Sequence, residues 1–104
     1  MIIYNVQHTE SSERDLLDIL RYIAVELQEP ATALRMADTI DTVIESLSHM
    51  PHRYPLVDDE RLAALGFRKL HIKNYIAFFT IDDEAQAVFI ERILYARRDW
   101  LHIL

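Results

Sequence analysis

The stretch that decides the fold is Gly66-Phe67-Arg68-Lys69-Leu70-His71-Ile72-Lys73-Asn74-Tyr75-Ile76-Ala77-Phe78-Phe79-Thr80-Ile81-Asp82-Asp83-Glu84. Together with the apolar run 87–93 it contains three segments rich in aliphatic, β-branched and aromatic residues. Short polar turns at 73–74 and 82–84 separate these segments, which is the pattern of consecutive hairpins. The sequence therefore predicts a three-stranded antiparallel meander with strands at 67–72, 75–81 and 87–93.

The two later strands are almost continuously apolar, which is typical of strands covered on both faces. The first strand alternates instead, with Arg68, Leu70 and Ile72 on one side and Lys69 and His71 on the other. A basic and aromatic tail leaves the last strand as Leu94-Tyr95-Ala96-Arg97-Arg98-Asp99-Trp100. Tyr, Arg and Trp are residue types that often carry phosphate or protein contacts, so we expect function at this end of the sheet.

The first half of the chain predicts one strand and two helices. The run 2–6 favours a strand at or near a sheet edge, and Thr9, Ser11 and Ser12 are candidate helix N-caps. Apolar residues at three- and four-residue spacing from Leu16 to Leu27 then predict an amphipathic helix of about five turns. We expect the acidic residues between Glu10 and Glu29 to form its solvated face.

Pro30 separates the two helices, because proline is tolerated only in a first helical turn. A second apolar stripe follows, and we expect it to lie in the core; it consists of Met36, Ile40, Val43, Leu47 and Met50. The short connection predicts an antiparallel helical hairpin. A short helical turn at 59–65, ended by Gly66, precedes the meander. The expected fold class is α+β, with residues 1–104 forming one domain.

Composition excludes several classes of protein. The chain has 104 residues, of which 51% are hydrophobic and 27% charged, as in ordinary globular proteins. It contains no Cys and no apolar run of membrane-spanning length, and its start does not resemble a signal peptide, so we expect a cytoplasmic protein. The net charge is −6, and all of it falls in residues 1–49, since residues 50–104 contain equal numbers of acids and bases. This acidity argues against indiscriminate nucleic-acid binding, but the predicted strands and tail are locally basic because six of the eight later acids fall in the clusters 58–60 and 82–84.

No cofactor or metal site is expected. The five histidines lack the spacing of metal ligands, and neither a Gly-rich phosphate loop nor a Ser or Cys nucleophile motif is present.

Four phrases in order resemble the RelE/ParE superfamily of bacterial toxins from type II toxin–antitoxin modules, which includes plasmid-stabilisation proteins. They are Met50-Pro51-x-Arg53-Tyr54-Pro55, Gly66-Phe67-Arg68-Lys69-Leu70, Asn74-Tyr75-Ile76-Ala77-Phe78-Phe79 and Arg92-Ile93-Leu94-Tyr95-Ala96-Arg97-Arg98-Asp99. The resemblance covers essentially the whole chain. It implies a growth-inhibiting toxin that a cognate antitoxin neutralises. It leaves the target open, since the superfamily holds both ribosome-dependent mRNA endonucleases and inhibitors of DNA gyrase.

The resemblance to the RelE-like endonucleases implies a basic and protonatable site. RNA cleavage by the 2′-hydroxyl needs a base, an acid and cations that stabilise the developing phosphorane. Arg68 or Lys69 would supply a cation from the first meander strand, and Arg97 or Arg98 would supply one from the tail. Tyr95 or His102 would transfer protons. The chain departs from the nuclease pattern at Ile76, where these nucleases often carry Arg after the strand's Tyr.

The resemblance to the ParE-like toxins is better in the long helical hairpin and in the sequence 94–99. It implies binding to gyrase without catalytic residues in the toxin. Residues expected to contact the target or the antitoxin are Arg68, Arg92, Tyr95, Arg97, Arg98 and Trp100. Trp100 is either an interface anchor or part of the core, and a non-toxic paralogue retained as a binding partner is a third possibility.

Overall fold

A four-stranded mixed sheet forms the centre of the molecule, which a computed structural model describes over residues 2–104. The strands are β1 (Asn5–His8), β2 (Arg68–Ile72), β3 (Tyr75–Asp82) and β4 (Ala87–Tyr95). The helices are α1 (Glu10–Arg21), α2 (Pro30–Glu45), α3 (Glu60–Ala64) and α4 (Trp100–Ile103). Strand order is β1-β4-β3-β2, with β1 parallel to β4 and the other pairs antiparallel. The predicted α+β fold and its meander are confirmed.

The N-terminal strand lies later in the chain than predicted. The run 2–6 favoured a strand, but β1 spans residues 5–8, and Ile2 and Ile3 are exposed. The reason is register: Asn5 is paired with Ala87, the first residue of β4, so nothing in the sheet pairs with residues before Asn5. The predicted position at a sheet edge is confirmed.

Thr9 begins α1 as predicted, since its side chain accepts a hydrogen bond from the Ser12 N–H at 3.1 Å. The predicted five-turn helix, however, changes character after Arg21 and continues as a π-helical segment, Tyr22–Glu26. There the Leu27 N–H donates to the Tyr22 carbonyl five residues earlier, at 3.1 Å.

Pro30 occupies the first turn of α2, as predicted, and the helix buries Ala33, Ile40 and Ile44. The stripe predicted to end at Met50 ends at Leu47, which is fully buried, whereas Met50 is 73% exposed. The prediction for Met50 was wrong because α2 stops at Glu45 and gives way to a 3₁₀ turn at Ser46–Ser48. Beyond that point helical periodicity no longer places side chains, and Met50 adopts a left-handed backbone (φ 48°).

The sheet has a hydrophobic core on each face. On one face, α2 residues pack against Leu70, Ala77, Phe79 and Ile90. On the other face, Ile76, Phe78 and Leu94 are covered by α3 and by the C-terminal tail, which contributes the half-buried Trp100. Gly66, with φ +86°, ends the α3 segment as the sequence predicts. The apolar β3 and β4 are thus covered on both faces, as their composition indicates.

The first turns of α1 close the edge of β4 that β1 leaves open. β1 pairs only with residues 87–90 of β4. Beyond it, the Thr9 hydroxyl lies 3.0 Å from both the Ile90 and Glu91 carbonyls, and the Asp15 carboxylate accepts the Ile93 N–H at 3.0 Å. The same carboxylate binds the Arg92 guanidinium through two bonds of 2.7 and 2.9 Å.

The prediction that the acidic residues between Glu10 and Glu29 form a solvated face is therefore wrong for Asp15. Its side chain is only 13% exposed. The pairing raises the pKa of Arg92, chiefly through the hydrogen bonds to Asp15.

We expect Asp15→Asn to lower the free energy of unfolding by about 2–4 kcal/mol, because it removes the charge that Arg92 needs in a partly buried setting. Urea denaturation measures the change. Asp18→Asn is the matched control on the exposed side of α1 and should change stability by less than about 0.5 kcal/mol. Equal effects of the two substitutions would contradict the structural role of Asp15.

Candidate functional site

The loop after α2, at residues 49–57, serves mainly to hold the fold. Arg53 donates hydrogen bonds to the carbonyls of His49 and Met50 and stacks 4.6 Å from the Tyr54 ring centre. It thereby satisfies backbone oxygens of the loop that follows α2. The Arg68 guanidinium likewise donates to the Tyr54 carbonyl at 2.7 Å. Arg68, a predicted contact and catalytic residue, is thus engaged with the backbone of this loop.

Lys69 and Trp100 lie together on the opposite face of the sheet. The Trp100 ring packs on Phe78 with a centroid separation of 5.1 Å, and the Lys69 ammonium lies 5.9 Å from the Trp100 ring centre. Trp100 is half-buried among residues of the second core. Its contacts explain how a tail that contains three consecutive charged residues is held to the sheet.

A groove of about 670 Å³ opens at the end of the sheet where β3 begins and β4 ends. Tyr75 and Tyr95 form its floor as a T-shaped pair with ring centres 5.9 Å apart. Burial raises the pKa of Tyr75, and the neighbouring Tyr95 and Tyr22 add to the effect. The remaining lining comes from α1, the π-helical segment, the β2–β3 turn and the tail, namely Asp15, Asp18, Ile19, Tyr22, Leu27, Asn74, Ile93, Leu94 and Arg98.

Sequence reasoning singled out Tyr95 and Arg98 but missed Tyr22, Leu27 and Tyr75 as groove residues. Tyr22 and Leu27 are five residues apart, so on an α-helix they would point about 140° from each other. The π-helical hydrogen bond between them brings both to the groove. The pairing of Tyr75 with Tyr95 could not be read from the β3–β4 turn either, because a bulge between Phe78 and Phe79 shifts the register by one residue.

The structure does not gather the residues predicted for RNA cleavage. Arg68 is opposite Phe79 on β3, while Tyr95 is opposite Tyr75. These β3 positions are four residues apart, roughly 13 Å at about 3.3 Å per residue. Lys69 lies under Trp100 on the other face of the sheet, and His102 is paired with Asp99 in the tail. Only Tyr95 and Arg98 share a site, the groove.

A second polar cluster, which sequence reasoning did not find, joins the N-terminal segment to the β3–β4 turn. The Tyr4 hydroxyl donates to Asp83 at 2.6 Å, and His52 Nε2 lies 3.0 Å from the same carboxylate. These contacts lower the pKa of Asp83, with the Tyr4 hydrogen bond contributing most and His52 next. The backbone N–H of Tyr4 also donates to the Ser48 carbonyl at 2.8 Å. No sequence signal links positions 4, 52 and 83.

Within residues 2–104, no three His, Asp or Glu side chains are grouped closely enough to hold a metal ion. Over the same range, no helix has the length and apolar character needed to cross a bilayer.

Comparison with known proteins identifies relatives of this fold. The family described as "ParE toxin of type II toxin-antitoxin system, parDE" matches residues 6–100. A chain of the chromosomal ParDE toxin–antitoxin system from P. aeruginosa is similar in structure, with a TM-score of 0.75, 20% identity, and coverage of 93% of this chain and 100% of that chain. A chain of the toxin–antitoxin complex RelBE2 from Mycobacterium tuberculosis gives a TM-score of 0.65 and 24% identity, covering 91% of this chain and 93% of that one. No curated protein sequence matches significantly.

We expect Trp100→Ala to lower the free energy of unfolding by about 2–3 kcal/mol, below the range for a fully buried Trp because its ring remains partly exposed. Thermal and urea denaturation measure the loss. Leu101→Ala, at an exposed neighbouring position of α4, is the control and should have a much smaller effect. An unchanged melting temperature for Trp100→Ala would instead assign the side chain to partner contact alone.

The lowered pKa of Asp83 predicts an acid-sensitive contribution to stability. A carboxyl whose folded pKa is lowered stabilises the fold above its ordinary pKa of about 3.9, and this stabilisation is lost as pH falls through the folded value. We therefore expect Asp83→Asn to be less stable than the parent at about pH 6, and the difference in stability to shrink at about pH 2.5. Urea midpoints at both pH values test this. The neighbouring Glu84→Gln should match the parent at both, and a deficit of Asp83→Asn that persists in acid would contradict the assignment.

Proposed function

This chain belongs to the ParE toxin family of type II toxin–antitoxin systems, and from that premise we propose that it arrests growth by inhibiting DNA gyrase. Membership makes it a toxin of such a system. The target is our proposal: the toxin binds the gyrase–DNA complex and has no catalytic residues of its own. Gyrase acts on chromosomal DNA, so the proposal also places the toxin in the cytoplasm. We further propose that residues 1–104 form a single toxin domain.

The observation that carries this choice of target is the dispersal of the nuclease candidates. Arg68 and Tyr95 are roughly 13 Å apart along the strand direction. Arg68 is bound to loop carbonyls, and Lys69 lies on the opposite face. Ile76, at the position after the strand's Tyr, is only 4% exposed and belongs to the second core. Stabilising a phosphorane requires cations converging on one phosphate, and this arrangement favours binding over chemistry.

We further propose that a cognate antitoxin neutralises the toxin by covering apolar surface. Two structural neighbours are described as a toxin–antitoxin system and a toxin–antitoxin complex. In this chain several large apolar side chains of the helical hairpin are more than half exposed, namely Leu17, Tyr22, Val25, Leu27 and Leu34. Exposed apolar patches of this kind are typical docking surfaces for an amphipathic segment. The groove and the tail, including Arg97 and Trp100, extend this surface, whereas Arg92 is engaged by Asp15.

The alternative function is a RelE-like mRNA endonuclease, and one observation favours it. Tyr95 and Arg98 line the same groove, so a proton-transfer group and a cation do meet there. The Asp18 carboxylate also lines the groove and opposes the entry of an RNA phosphate into the groove itself.

Purified, antitoxin-free toxin tests the proposal on gyrase. We expect it to inhibit ATP-dependent supercoiling by gyrase in a dose-dependent manner, because the proposed target is the gyrase–DNA complex. Full supercoiling activity at a large molar excess of folded toxin would contradict it.

Induction in cells separates the two targets. Expression without antitoxin should abolish colony formation, while transcript 5′ ends mapped after induction should show no cleavage phased with codons. Phased cleavage that is lost in Arg98→Ala would establish the endonuclease instead. Unimpaired colony formation would indicate a non-toxic paralogue.

A further inference from the structure

Three cations lie at one end of the sheet. Lys73 is in the β2–β3 turn, and Arg97 and Arg98 directly follow β4; all three are exposed. A backbone hydrogen bond of 2.8 Å from the Ala96 N–H to the Asn74 carbonyl ties the turn to the tail. Lys73 directly precedes Asn74, and Arg97 and Arg98 directly follow Ala96, so the three charges lie beside this bond. We call this set the basic end.

The cations of the basic end differ from the other well-placed arginines. Arg53 and Arg68 bind loop carbonyls, Arg92 binds Asp15, and Arg14 pairs with Glu10. Among residues 2–104, by contrast, no carboxylate lies within 4.0 Å of Lys73, Arg97 or Arg98. Asp99, their neighbour in sequence, is engaged by His102. The three charges are therefore available to an external anion.

The distribution of charge over the protein determines which side of it faces such an anion. The first 49 residues, which form β1 and the helical hairpin, carry nine acids and three arginines. A polyanion is repelled from that part and attracted to the basic end, so the molecule approaches it in one orientation.

We propose that the basic end contacts the phosphate backbone of duplex DNA, without reading its sequence. This inference rests on the proposed function, since the gyrase target contains DNA, and it names the part of that target that Lys73, Arg97 and Arg98 touch. Each cation neutralises one phosphate, and gyrase supplies the DNA at high local concentration, so a weak contact suffices.

Duplex DNA fits better than the other anions. Single-stranded RNA or DNA is bound through aromatic rings that stack on bases. Here the Trp100 ring is packed on Phe78, and Tyr75 and Tyr95 are engaged edge-to-face with each other. An acidic peptide would need its anions paired with an apolar pocket, but only Arg98 of the three cations lines the groove.

Salt dependence of binding provides the test. The probe is a short mixed-sequence DNA duplex with a fluorescent label, titrated with intact toxin and followed by anisotropy. Three phosphate contacts predict a slope of log K against log salt of about −2.7, or roughly 40-fold weaker binding between about 50 and 200 mM salt. Lys73→Ala/Arg97→Ala/Arg98→Ala should bind at least about tenfold more weakly at low salt, with a slope near zero. A triple variant that keeps the parental slope would overturn the proposal.

The matched control removes the same charge from the hairpin as Arg14→Ala/Arg21→Ala/Arg35→Ala, and it should keep the parental slope. Circular dichroism should show that both triple variants are folded, since all six side chains are exposed. Single-stranded RNA and poly-glutamate should compete poorly with the labelled duplex for binding to the toxin. If either competes as well as unlabelled duplex does, the choice of duplex DNA is overturned.

Gyrase assays separate this inference from the function beneath it. If the parent inhibits supercoiling and the basic-end variant needs at least about tenfold more protein, both stand. If the two proteins inhibit equally, the DNA contact fails while the gyrase target remains. If the parent binds duplex with the expected slope but leaves gyrase active, the gyrase proposal fails and the contact remains.

Discussion

The outer edge of β4 is the constraint on which the rest of the structure depends. β4 is nine residues long, yet β1 covers only its first four residues, and an uncovered strand edge exposes backbone groups that pair with other chains. Thr9 and Asp15 satisfy that edge from a helix instead of a strand. These contacts fix the position of α1, and therefore of the helical hairpin, relative to the sheet. They also place the α1 residues that line the groove and hold the Arg92 side chain against Asp15.

The two faces and two ends of the sheet divide the remaining roles. The hairpin covers one face, while α3 and the tail cover the other. Arg53, Arg68 and the Tyr4–Asp83–His52 cluster hold the end near the β3–β4 turn. The opposite end carries the groove and the exposed cations. Apart from Asp15, which lines the groove and also binds Arg92, these stabilising side-chain contacts lie away from the exposed cations.

Much of this fold is encoded locally. The meander, Thr9 as N-cap, Pro30 at the start of α2 and Gly66 after α3 follow from propensity and periodicity. The features that escape prediction depend on distant partners. β1 begins at Asn5 because β4 begins at Ala87, and Asp15 is buried because it meets a strand some 80 residues later. The site residues divide in the same way: the tail composition pointed to Tyr95 and Arg98, whereas nothing local indicated that Arg68 would bind loop carbonyls or that Tyr22 would reach the groove.

The π-helical segment Tyr22–Glu26 has a consequence for how related sequences diverge. Such a segment amounts to one residue more than an α-helix needs over the same length. Deleting a single residue from it would restore a regular α-helix in which Tyr22 and Leu27 are four positions apart, or about 40° around the helix axis. Tyr22 and Leu27 would then still share a side of the groove. Relatives with and without the extra residue can therefore differ in length here while keeping the same groove side and the same cores.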